Sequence, residues 1–97
     1  MIVNRRTFHL KRGHQQKVVD FIKAFYISNP DPHVLRWYVS DIGQLDQLVV
    51  EIEYQDLADY NRYWSVFDPG EDFWNKWFDL TELGSTNEIW ELVYKNP

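Results

Sequence analysis

Residues Arg36 to Tyr54 read RWYVSDIGQLDQLVVEIEY: two runs of β-branched and aromatic side chains on either side of a glycine. Such residues fit a pleated, half-buried surface. Val34 to Val39 is predicted as one strand and Gln47 to Tyr54 as the next. Gly43 can supply the positive φ that a two-residue hairpin turn needs. A turn at Gly43-Gln44 pairs positions whose numbers share one sum. Trp37 then faces Val50, Val39 faces Leu48, and Leu35 faces Ile52, which makes one face apolar. Arg36 faces Glu51, Tyr38 faces Val49 and Ser40 faces Gln47, which makes the other face mixed. A slip of one residue would scramble this sorting, because side chains alternate with period two.

Outward from the hairpin, the period changes twice on each side. Ile2 to Leu10 alternates as a strand, with Ile2, Asn4, Arg6, Phe8 and Leu10 on one face. Lys11-Arg12-Gly13 is a turn. Val18, Phe21, Ile22 and Phe25 recur at helical spacing and predict an amphipathic helix from His14 to about Ser28. Asn29-Pro30-Asp31-Pro32 ends it. Beyond the hairpin, Asp56 is a suitable N-cap. Leu57, Tyr60, Trp64 and Phe67 predict a second helix, which Asp68-Pro69-Gly70 breaks. Phe73, Trp74, Trp77 and Phe78 predict a third, with Leu80 and Leu83 extending its packing and Gly84 as its stop. Glu88 to Lys95 reads as the last strand.

The order β-α-β-β-α(α)-β is that of the ferredoxin-like, split βαβ class of α+β domains. Residues 1–97 are read as a single such domain, with helices on one face of a four-stranded antiparallel sheet. The other face carries Tyr38, Val49 and either Val93 or Tyr94 among charges, and is a natural seat for a second copy.

Composition narrows the function. The chain has 97 residues, no cysteine and a formal net charge of −5. Thiolate metal sites, disulfides and a cysteine nucleophile are excluded. No basic block points to nucleic acid. No long apolar run points to a membrane span or leader, so the cytoplasm is the default expectation. Five Trp, six Tyr and six Phe are many for this length. They suit a core of large side chains, or the wall of a pocket or interface.

Four places carry a family resemblance. Arg6-Thr7-Phe8-His9-Leu10-Lys11-Arg12-Gly13 is similar to an R-T-Y-x-L-x-x-G opening. Val39-Ser40-Asp41-Ile42-Gly43 is similar to a strand ending in a small-residue, acidic, Ile-Gly turn. Leu45-Asp46-Gln47-Leu48-Val49 is similar to L-N-Q-V-V, and Tyr54-Gln55-Asp56-Leu57-Ala58-Asp59 to Y-x-S-L-A-D. Together they resemble the NIPSNAP-like group of the dimeric α/β barrel superfamily, which includes antibiotic-biosynthesis-monooxygenase-like proteins. The resemblance implies a homodimer joined through its sheets, with a pocket between each sheet and its own helices. Its wider relatives include cofactor-free monooxygenases, haem-degrading enzymes and small-molecule lyases or isomerases, so kinship leaves the chemistry open. Val50 and Ile52 stand where the family often has His and Trp.

The candidate site residues are few. Arg6, inside a strand face, could hold a carboxylate or phenolate with its planar fork. The alternative is an ion pair with Glu88 or Asp41. Tyr54 could orient a substrate or donate a proton. Phe8, Trp37, Trp64 and Trp77 are the candidate walls for an apolar or aromatic small molecule. The alternative for each is core packing. His9, His14 and His33 have no metal-ligand spacing; the last two are expected to be solvated. Glu51 and Glu53 share a strand face, where a structural ion pair with Arg36 competes with an acid/base role. Two function classes follow. One is a small enzyme with neither metal nor organic cofactor, of monooxygenase or isomerase type. The other is a non-catalytic ligand-binding or interaction module.

Overall fold

A computed structural model describes all residues from Met1 to Pro97. In chain order they form β1 (Ile2–Leu10), α1 (Gln15–Ser28), β2 (Val34–Val39), β3 (Gln47–Tyr54), α2 (Leu57–Val66), α3 (Glu71–Leu80) and β4 (Thr81–Glu91). The strands make one sheet in the order β2-β3-β1-β4, and every neighbouring pair is antiparallel. The helices lie on one face, as the ferredoxin-like pattern requires.

β3 is the spine. Leu48, Val50, Ile52 and Tyr54 are all buried, while Gln47, Val49, Glu51 and Glu53 between them are half-exposed. This strict alternation is what a sheet covered on one side imposes. Leu48 joins Leu10, Val18, Ile22, Trp77 and Leu80 in one core cluster. Val50, Ile52 and Tyr54 form a second, against Tyr60, Tyr63 and Trp64. Only 11 residues are buried in all, so much of the packing falls to half-buried aromatic rings. In α1, Val18 and Ile22 are the buried members of the predicted stripe. Asp56 caps α2, its carboxylate accepting from the Asp59 N–H at 2.8 Å. Losing such a cap costs about 1 kcal/mol.

Four local expectations need correction. The hairpin register holds from Arg36 to Val39, but no two-residue turn closes it. Ser40 and Gln47 close the loop instead, the Ser40 N–H donating to the Gln47 carbonyl at 3.0 Å and the Gln47 N–H to Ser40 Oγ at 3.0 Å. Both Gly43 and Asp46 take positive φ, 104° and 58°. The Asp46 carbonyl accepts from the Leu10 N–H at 2.8 Å. That bond ties the end of the loop to β1 and leaves Ile42 exposed.

The second correction is at Leu35. Val34, not Leu35, pairs with Ile52, and the register shifts between Val34 and Arg36. Leu35 is bulged outward. Third, β4 begins at Thr81, directly after α3. Gly84 (φ 96°) lies inside the strand, opposite the register shift between Thr7 and His9. It serves a β-bulge rather than a helix stop, and Leu83 is exposed rather than packed. Fourth, Leu57 is exposed, and Tyr63 takes the inward place on α2. No helix is long and apolar enough to cross a membrane.

Candidate functional site

Between the sheet and the three helices lies a half-open cavity of about 160 Å³, with 11 of its 12 lining residues hydrophobic. The floor is Arg6 and Phe8 from β1, Trp37 from β2, and Val50 and Ile52 from β3. The roof is Tyr26 of α1, Tyr63 and Trp64 of α2, Phe67 of the α2–α3 link, and Phe73, Trp74 and Trp77 of α3. The rings brace one another. Phe8 meets Trp77 edge-on at 4.8 Å, Trp64 meets Phe67 edge-on at 5.1 Å, and Phe73 stacks on Trp77 at 6.1 Å. Such pairs are worth about 0.5–1.5 kcal/mol each beyond their burial. They hold a stiff frame around space that no side chain fills. Trp74, the most exposed liner, stands at the rim.

Arg6 is the one charged liner, and its surroundings are specific. Its Nε donates to Asn4 Oδ1 at 3.0 Å, and its Nη2 donates to the Tyr60 hydroxyl at 3.4 Å. Its guanidinium carbon lies 3.8 Å from the centre of the Trp64 ring, a cation–π contact. Asn4 is fully buried. It donates to the Asn87 side chain and to the Glu88 carbonyl at 3.0 Å. The Asn87 amide in turn donates to the Tyr60 hydroxyl at 3.3 Å. The ion pair with Glu88 or Asp41 that the sequence allowed does not form: no carboxylate is within 4 Å of Arg6.

The structure brings five of the six predicted site residues together. Arg6, Phe8, Trp37, Trp64 and Trp77 all line the cavity. Tyr54 does not. It is 1% exposed, with its hydroxyl 3.5 Å from Asn4 Oδ1, so it meets Arg6 through Asn4. Burial pushes its phenol up out of the ordinary range. The neighbouring Trp64 N–H opposes that rise without reaching hydrogen-bond geometry. Tyr63 is pushed up too, by burial first and then by its bond to Asp31 Oδ2 at 2.5 Å. Tyr26 is pushed up to about 12, mainly by burial. The indole N–H groups of Trp37 and Trp64 are buried without a partner.

Other candidates resolve into structure. Glu51 meets Arg36 at 3.3 Å and accepts from Tyr38 at 3.0 Å, while Glu53 faces Lys95 at 3.8 Å. His33, expected in solvent, sits 3.5 Å from Asp31 and 3.6 Å from Asp59. No group of three or more His, Asp or Glu side chains is placed to hold a metal ion.

Sequence reasoning missed Asn4, Tyr60 and Asn87, the residues that position Arg6. One signal was there: Asn4 is an amide on the same strand face as Ile2, Phe8 and Leu10. Asn87 needed the β1–β4 register, which sets it opposite Arg6.

No family model and no curated protein matches this chain significantly. Solved structures do. A NIPSNAP-like domain protein from Burkholderia xenovorans superposes with a TM-score of 0.83 at 20% identity, over 99% of this chain and 89% of that one. A NIPSNAP family protein from Agrobacterium tumefaciens gives 0.81 at 22%, over 97% and 88%. A candidate antibiotic biosynthesis monooxygenase from Nitrosomonas europaea gives 0.69 at 11%, over 97% and 100%. The chain shares their fold, the α+β ferredoxin-like arrangement that its own sequence pattern implied.

Proposed function

We propose that this chain is a NIPSNAP-type binding protein that takes a flat, apolar small molecule between its sheet and its helices. One observation carries the reading: an aromatic frame encloses unfilled space beside a single cation that has no acidic partner. Unfilled apolar space is expensive. Side chains that line such space forgo the dispersion contacts that a filled site would give them. A fold selected only for packing would close it. A bound ring recovers those contacts. The volume suits one ring, since an engineered apolar cavity of about 150 Å³ takes up benzene.

The likeness to a candidate monooxygenase fold favours a second reading, in which the same cavity is catalytic without metal or organic cofactor. Arg6 would then anchor an anion, Trp37, Trp64 and Trp77 would hold the substrate flat, and Tyr54, called on to orient the reacting oxygen, would act only by holding Asn4 and with it Arg6. Binding is the preferred reading because Tyr54 does not open onto the cavity. We also propose that a second copy covers the helix-free face of the sheet. Tyr38 and Trp90 are 43% and 54% exposed there. Arg5 and Arg36 lie among Glu51, Glu53 and Glu88 on the same face, so a two-fold axis can set unlike charges against each other.

Native mass spectrometry of the protein as purified tests both proposals. The expected species is a dimer carrying one small extra mass per chain that disappears on denaturation. A stable monomer at micromolar concentration would remove the paired-sheet proposal. Failure to take up any added aromatic molecule would remove the binding proposal.

A further inference from the structure

We infer that the ligand of this cavity is a planar aromatic acid of one ring, its carboxylate held by Arg6. The inference rests on the binding reading above and adds the charge and size of what is bound. The sheet itself marks Arg6 out. Its cross-strand partners are Val50 and Asn87, both neutral. The adjacent Arg5, on the other face, lies between Glu51 and Glu88. The fold thus offers acids to the arginine that faces away from the cavity and none to the one that faces into it.

The guanidinium is also already oriented. Asn4 fixes Nε, the Tyr60 hydroxyl takes one Nη2 hydrogen, and the Trp64 ring backs the plane. Both Nη1 hydrogens and one Nη2 hydrogen have no acceptor among these contacts. A carboxylate accepts in that fork geometry with two parallel bonds. An anion in apolar surroundings needs such a counter-charge, and no other liner carries one. A second polar end on the ligand would find only the unpartnered indole N–H groups of Trp37 and Trp64, which donate and cannot balance charge. The volume matches one ring better than two fused ones.

Benzoate, its neutral isostere benzamide, and toluene separate the possibilities, each titrated into the intact protein by calorimetry or competition. Benzoate is expected to bind at least about 10-fold tighter than benzamide, about what one charge-assisted contact supplies. 2-Naphthoate is expected to bind more weakly than benzoate. Arg6→Met, which keeps the stem and removes the charge, should lose that benzoate advantage, so that benzoate binds no tighter than benzamide. Benzamide binding as well as benzoate would overturn the acid inference and leave the cavity reading standing. Toluene binding with no benzoate binding would do the same. If none of the three binds, the binding reading falls, and the acid inference with it. The wild-type comparison decides even if Arg6→Met does not fold.

Discussion

Val50 is the position at which one added carbon reports on the cavity. It is 2% exposed, it lies on the cavity floor, and its cross-strand partners Arg6 and Trp37 are floor residues too. Val50→Ile adds one methylene and keeps the β-branched shape that a central strand favours. If the added carbon enters unfilled space, it buries one CH₂ at about 0.8 kcal/mol. For a domain of this size that raises the melting temperature by about 3–6 °C. If the site is already close-packed, the same carbon forces neighbours aside and costs about 1–3 kcal/mol. The two cases differ in sign. Thermal and denaturant unfolding of the two proteins is the assay, with the m-value as a check that the denatured state is unchanged. Val50→Phe carries the argument further. Its ring should occupy the space meant for a ligand, so added toluene should raise the melting temperature of the wild type and leave that of the variant unmoved. A fall in stability for Val50→Ile would refute the reasoning, because it would mean that the apparent space is closed in solution.

Three further outcomes follow from the contacts. Asn4→Leu leaves the Arg6 Nε–H and Asn87 Oδ1 without their partner, and should cost about 1–3 kcal/mol in denaturant unfolding; an unchanged midpoint would mean that the buried network contributes nothing net. The Asp59 carboxyl is held below its usual value, chiefly by the Gln55 N–H at 2.9 Å. A depressed carboxylate stabilises the fold above the unfolded-state value near 3.8 and loses that contribution as pH falls through its folded-state value. The melting-temperature gap between wild type and Asp59→Asn should therefore be open at pH ~7 and close in strong acid, and a gap that stays constant with pH would contradict the linkage. Tyr26, Tyr54 and Tyr63 are raised above the ordinary phenol value of 10.0. The unfolded chain loses those protons first, so stability should fall as pH rises past that value. Half of the six tyrosines should ionise only as the fold opens, seen as phenolate absorbance that tracks loss of circular dichroism; phenolate from all six before unfolding would contradict the burial.

Period alone carried most of the fold. The alternation in Gln47 to Tyr54 and the helical stripe from Val18 to Phe25 survive intact because each element buries one face against the other. What failed were the places where the backbone leaves regular geometry. The loop after Ser40 depends on Asp46 taking a left-handed conformation, held by a bond to Leu10, and no local pattern announces that contact. Gly84 has the same positive φ in a strand bulge as it would in a helix cap, so its presence could not choose between them. For the site, type and face were enough to find Arg6 and the tryptophans. Tyr54 looked equivalent to them because it faces the same side of the sheet as Arg6 and Trp37. It sits at the strand end, where Tyr60 and Tyr63 close over it, and only the packing of α2 decides that.

The tryptophans offer the most direct test of the cavity as a ligand site. Trp37, Trp64, Trp74 and Trp77 line it, while Trp90 sits opposite Val3 on β4, exposed and absent from the lining. Each indole N–H gives its own signal in a two-dimensional NMR spectrum of ¹⁵N-labelled protein. On titration with toluene, the four cavity signals should move together, saturably, while Trp90 stays in place. If all five stay in place at saturating toluene, or if Trp90 alone moves, the cavity is not the binding site and the account fails at its centre.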